Sequence, residues 1–111
     1  SWPVSGIHLQ AWKRDRPWVL DSLAELAHAA HRDFDYFAVG AQDASRADPA
    51  FLAEFAAAAH SVGARRLRLA DTVGILHPTR TMQMIVALRD AVPGLPLEIH
   101  AHNDLGMAVA N

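Results

Sequence analysis

Cysteine is absent from the 111 residues, so neither a disulfide framework nor a thiolate metal site is available, and any metal must be held by His, Asp, Glu or Asn. A charge excess is lacking as well. The formal net charge is −2 and the basic residues form no long run, which leaves no electrostatic footprint for nucleic acid. The densest basic patch, Arg65, Arg66 and Arg68, reads as a solvated connection from helix to strand. No apolar stretch reaches the ~18 residues of a membrane span, and no charged segment followed by an apolar one opens the chain. No membrane partner is therefore expected, and the cytoplasm is the expected location. Gly-x-Gly-x-x-Gly and Walker loops are also missing, which removes the simplest argument for an open nucleotide-binding sheet.

What is present is an alternation of short apolar runs and helical stripes. Residues 3–9 read as a strand and 17–31 as a helix, with Pro17 in its first turn and Val19, Leu20, Leu23, Leu26 and Ala27 on one stripe. Residues 34–40 read as the next strand. Asp48 followed by Pro49 opens an Ala-rich helix that stops near Gly63. A strand over 67–70 delivers Asp71, Thr72, Val73 and Gly74 to its C-terminal end. Pro78 opens a further helix that ends before Pro93 and Gly94, a strand runs from 95 or 96 to 101, and a last helix begins after it. Units of roughly 30 residues in this order are βα modules, which predicts an α/β fold with a parallel sheet. Polar clusters follow each strand: His8, then Gln42 to Arg46, then Asp71 and Thr72, then His100 to Asp104. Strand ends contributing to one rim are how a closed β/α barrel builds its site. A whole barrel takes about 250 residues, so the expectation is a partial (β/α)8 TIM barrel of about four consecutive units. Residues 1–111 are then a central fragment of a single catalytic domain.

The segment Glu98, Ile99, His100, Ala101, His102, Asn103, Asp104 sets two imidazoles at i and i+2 where an apolar run ends. In a strand that spacing points both rings to one face, which suits two ligands for one metal ion. The run 95–101 reads as largely buried, and unpartnered buried imidazoles are costly. Glu98 shares that face, in reach of a bound substrate or a ligand. Asp71 is either a turn former or an orienting group behind the site. Asp43 and Arg46 suit an ion pair at the rim. His28, His31, His60 and His77 read as surface residues, and Trp2, Trp12 and Trp18 as packing for the first helix.

The stretches VGAQDASRADPAF, LADTVGILHP and EIHAHNDLGMAVAN resemble the acyl-CoA-condensing aldolase family that contains homocitrate, isopropylmalate and citramalate synthases. The pairing of GAQDASRAD with PVSGIHL is most similar to homocitrate synthases of the type associated with nitrogenase cofactor assembly. The resemblance implies a Claisen-type condensation of acetyl-CoA with a 2-oxo acid, 2-oxoglutarate for the homocitrate type. A divalent metal (Mg, Mn or Zn) is expected to chelate the oxo acid, and a base to remove a methyl proton from acetyl-CoA. Motif by motif, it implies His100 and His102 as metal ligands and Thr72 as a donor to the oxo-acid carboxylate. His8 and Glu98 fall at substrate-contacting or catalytic positions, and a homodimer is expected of the full-length protein.

Departures qualify the match. Gln42 stands where the family has Glu, and an amide supplies neither charge nor acid–base chemistry. An Arg and a Ser that read a distal carboxylate in lysine-pathway relatives correspond to Ala38 and Gly40. The resemblance also implies an acidic ligand, an Asn ligand and a C-terminal part of the acetyl-CoA site outside these residues; Asn111 comes too early to be that Asn. The 111 residues alone are expected to bind metal poorly, to be inactive and to expose sheet edges. The alternatives are an isopropylmalate or citramalate synthase, a lyase of the same superfamily running the reverse cleavage, and a non-catalytic subunit of a split enzyme.

Overall fold

Alternate residues of the central strands are apolar, and this alternation decides which side of the sheet the helices cover. The computed structural model describes residues 1–111. Four strands, β1 (Trp2–Pro3), β2 (Val39–Gln42), β3 (Leu67–Asp71) and β4 (Leu97–Ala101), pair in parallel in the order β1-β2-β3-β4. Val39 and Ala41 lie opposite Leu67 and Leu69, and all four point to one face, where they are buried with Phe51, Phe55, Leu23 and Leu88. Each such large apolar side chain contributes about 1.5–3 kcal/mol on burial.

The helices supplying that cover are α1 (Gly6–Ala11), α2 (Arg16–Asp33), α3 (Pro49–Ser61) and α4 (Pro78–Ala91). Asp15 caps α2 by accepting from the Trp18 N–H at 2.9 Å, and Asp48 caps α3 by accepting from Ala50 at 3.1 Å. Each cap is followed by proline at the first or second helical position, where its missing N–H costs nothing. A single 3-10 turn, Ala44–Arg46, separates β2 from α3. The opposite face of the sheet carries Gly40, Gln42, Arg68, Ala70, Glu98 and His100 and has no helix over it. No helix is long and apolar enough to cross a membrane.

Four features differ from the sequence expectation. Of the expected strand 3–9 only Pro3 lies in β1; Ser5 then turns the chain, its Oγ accepting from the His8 N–H at 3.2 Å, so His8 lies in α1. The expected strand 34–40 begins at Val39, because the first register pair with β3 is Val39 with Leu67, and Phe34 and Tyr36 are exposed. No helix begins after β4: residues 103–110 form turns, held by Asn103 Oδ1 accepting from the Ala108 N–H at 3.1 Å. Finally, β4 is not largely buried. It lies at the sheet edge with His100 exposed, and within it only Leu97 packs on the core.

Candidate active site

Parallel strands bring their C-terminal ends to one rim, and the uncovered face of this sheet opens there into a hollow of about 300 Å³. Gln42 from β2, Ala70 and Thr72 from the end of β3, and His100 and His102 from the end of β4 line it, with Arg68, Gly40 and Ser1 below. The i, i+2 spacing works as the strand period requires. The His100 and His102 rings lie on one side with centroids 5.2 Å apart and planes 16° from parallel.

Thr72 is held by the backbone of the neighbouring unit. Its Oγ1 accepts from the Asp43 N–H at 2.9 Å, which leaves the hydroxyl hydrogen free to donate into the hollow. Asp71 is fully engaged as a turn former. Buried at the end of β3, its carboxylate accepts from the Ile75 N–H at 3.1 Å and the Leu76 N–H at 2.9 Å. The following Gly74 has φ +66°, and a Cβ there would strike the Asp104 side chain. The Asp-Thr-Val-Gly turn and the loop after His102 are thus packed directly on each other.

Asp43 and Arg46 form the expected rim ion pair, with Arg46 Nη2 2.7 Å from Asp43 Oδ2. Asp43 is 0 % exposed, and Ser5 Oγ donates to it at 2.5 Å. Burial pushes its carboxyl pKa up, but hydrogen bonds from Arg46 and Ser5 outweigh that, and the net result lies below the ordinary carboxylate value. Asp43 itself takes up a left-handed backbone, φ 59°, where the chain leaves β2.

Glu98 shares the face of His100, one row deeper, and both its oxygens are occupied. Arg66 Nη1 approaches Oε2 at 3.1 Å, and Arg68 Nε and Nη2 both approach Oε1 at 2.7 Å. The hydrogen bond from Arg66 and the charge of Arg68 hold the carboxyl below its usual range against a desolvation effect that opposes them. Arg65, Arg66 and Arg68 are all exposed, as the reading of a solvated connection expects, and Arg66 and Arg68 in addition bind Glu98 across the sheet. Arg68 is the site residue that sequence reasoning missed, although its two-residue spacing from Ala70 and Thr72 puts it on their face.

His8 does not line the hollow. It is half-buried on α1, and its Nδ1 has no hydrogen-bond partner. His28, His31, His60 and His77 are exposed, His31 pairing through Nε2 with the Val62 carbonyl at 2.7 Å. Of the tryptophans, Trp2 donates to Ser22 Oγ at 2.8 Å and packs near Phe55, and Trp18 lies under the Arg14 guanidinium. Trp12, expected to pack with them, is half exposed and is not among the side chains packed on the core.

The paired imidazoles fit two positions around a divalent ion, being neutral nitrogen donors on one side of a polar hollow. No third His, Asp or Glu joins them in a cluster able to hold a metal.

Comparison with known proteins agrees with the architecture. Hydroxymethylglutaryl-CoA lyase from Pseudomonas aeruginosa superposes with a TM-score of 0.83 over 97% of this chain and 38% of its own, at 22% identity. The HMG-CoA lyase from Brucella melitensis gives a TM-score of 0.78 at 20% identity, over 97% of this chain and 41% of its own. These neighbours establish the fold as a partial TIM barrel, in which the uncovered sheet face is the barrel interior. In sequence, a 2-isopropylmalate synthase 2 from Caldanaerobacter subterraneus is 49% identical over 97% of this chain and 28% of its own length. A homocitrate synthase from Saccharolobus islandicus is 44% identical over 97% of this chain and 24% of its own. The homocitrate synthase subunit alpha of Clostridium pasteurianum is 40% identical over 100% of this chain and 41% of its own. The chain therefore spans between a quarter and two fifths of the length of these relatives. Over residues 1–111 it matches the HMGL-like description throughout, and it belongs to the HMGL-like family.

Proposed function

We propose that residues 1–111 are the central segment of a single TIM-barrel catalytic domain that condenses acetyl-CoA with 2-oxoglutarate, the homocitryl thioester then being hydrolysed by water to homocitrate and CoA. The observation that carries this reading is the convergence of His100, His102 and Thr72 on one hollow at the C-terminal ends of parallel strands. It occurs in a chain 40% to 49% identical to homocitrate and isopropylmalate synthases. The nitrogenase-associated homocitrate type is the member favoured by the pairing of GAQDASRAD with PVSGIHL.

In this reading His100 and His102 hold a divalent cation (Mg, Mn or Zn), which when bound supplies charge to polarise the oxo-acid carbonyl. Thr72 donates its free hydroxyl hydrogen to the oxo-acid carboxylate and fixes the acid's orientation without adding charge. Gln42 lines the same hollow as a neutral hydrogen-bonding group and takes no proton. His8, expected at a substrate-contacting or catalytic position, lies on α1 outside the hollow and is given no step in this reading. Glu98 acts as a positioning residue, since both its oxygens are committed to arginines.

The test is CoA release by the protein at its natural full length, with acetyl-CoA, Mg or Mn, and 2-oxoglutarate, 2-oxoisovalerate or pyruvate in parallel. Turnover selective for 2-oxoglutarate supports the reading. Selectivity for another acid moves the assignment to isopropylmalate or citramalate synthase.

A second reading is a subunit of a split enzyme, favoured by the match over the whole chain to a relative named as a subunit alpha. In that case turnover requires the complementing chain.

A further inference from the structure

We infer that Arg68 is a specificity-determining residue, whose guanidinium takes the distal carboxylate of a dicarboxylic 2-oxo acid; this rests on the acyltransferase reading above. Three observations carry it. Arg68 faces the barrel interior in the same hollow as Thr72, His100 and His102, one same-face position below Ala70. The row of Arg68 and Glu98 lies two residues below that of Ala70 and His100, about 6.6 Å along the strands, a spacing on the scale of a five-carbon diacid.

The charge count around it is unbalanced. Arg66 and Arg68 share the single carboxylate of Glu98, so two positive charges meet one negative charge. Glu98 Oε1 receives Arg68 through Nε and Nη2, which leaves Nη1 uncommitted. A guanidinium anchored along one edge by a protein carboxylate is oriented to bind a second carboxylate with its remaining N–H groups.

The flank of Arg68 is also open. Its register partner on β2 is Gly40, and only the small Ser1 side chain lies over that glycine. A substrate carboxylate therefore meets no competing side chain from β2 at this level. Arg68 thus supplies, from β3, a positive charge that its β2 register partner does not.

The experiment compares wild type, Arg68→Met and Arg68→Lys in the full-length protein with Mn present. It measures calorimetric binding of glutarate and butyrate, and KM for 2-oxoglutarate and 2-oxobutyrate where CoA release occurs. The expected result is that wild type binds glutarate about 10- to 100-fold more tightly than butyrate. Arg68→Met removes that preference and raises KM for 2-oxoglutarate by the same factor, with KM for 2-oxobutyrate unchanged, and Arg68→Lys restores part of it. A wild type that does not distinguish glutarate from butyrate overturns the inference, whatever the variants do. So does an Arg68→Met variant that keeps the preference, or one that raises both KM values equally. CoA release with an unaltered preference in Arg68→Met sinks this inference alone. Absence of release with every oxo acid sinks the acyltransferase reading, and glutarate binding still decides the role of Arg68.

Discussion

The backbone N–H of Asp43 donates to Thr72 Oγ1 at 2.9 Å, tying the end of β2 to the turn that follows β3. Because the hydroxyl accepts from that N–H, its own hydrogen is directed elsewhere, and the hollow is the polar space available to it. Thr72→Ser should retain most activity in the full-length protein. Thr72→Val should lower kcat/KM about 100-fold, as loss of one preorganised donor does. Steady-state CoA release for the two variants checks this, and equal activity would remove Thr72 from the site.

Asp71 and Thr72 are adjacent, yet their roles separate. Asp71 is buried and accepts from two backbone N–H groups, so Asp71→Asn turns one acceptor oxygen into a donor facing an N–H. Destabilisation of about 1–3 kcal/mol is expected by urea denaturation. Asp71→Ser should destabilise similarly, because the damage comes from the lost acceptors.

The Asp43 carboxyl sets an acid limit on stability. Its folded-state pKa lies below the ordinary value, so its contribution is present above the unfolded-state pKa and is lost as pH falls through the folded-state one. Arg46→Met removes the partner that lowers it most and leaves the buried carboxylate with Ser5 as its side-chain donor and no counter-charge in contact. The variant should melt at a lower temperature at pH 7, and its deficit against wild type should narrow as pH falls toward 3, because a buried Asp43 without Arg46 is protonated at less cost to the fold. Thermal melts from pH 7 down to pH 3 measure both effects.

Much of this arrangement was legible in the sequence because it depends on local chemistry. The caps at Asp48 and Pro49, the Asp-Thr-Val-Gly turn and the two-residue spacing of His100 and His102 are properties of a few adjacent residues. What was not legible depends on tertiary pairing. Residues 3–9 alternate like a strand, but the Ser5 cap captures them into a helix. Phe34 and Tyr36 have strand-forming side chains, yet the register with β3 begins only at Val39. Arg68 looked like one member of a basic cluster, because the carboxylate that orients it lies 30 residues away on the next strand.

The imidazole pair makes a direct prediction for metal. In the full-length protein His100→Ala and His102→Ala should each weaken Mn binding at least about 10-fold, measured by calorimetry or by the relaxation rate of water protons. His60→Ala, on the exposed surface of α3, should leave it unchanged.

The central claim is that this hollow orients a 2-oxo acid for condensation with acetyl-CoA. It is tested most directly by CoA release from the full-length protein with Mn, acetyl-CoA and each of the three oxo acids, alongside His102→Ala. The account predicts turnover selective for 2-oxoglutarate that His102→Ala abolishes. Release that is independent of the oxo acid, or unaffected by loss of His102, would contradict it.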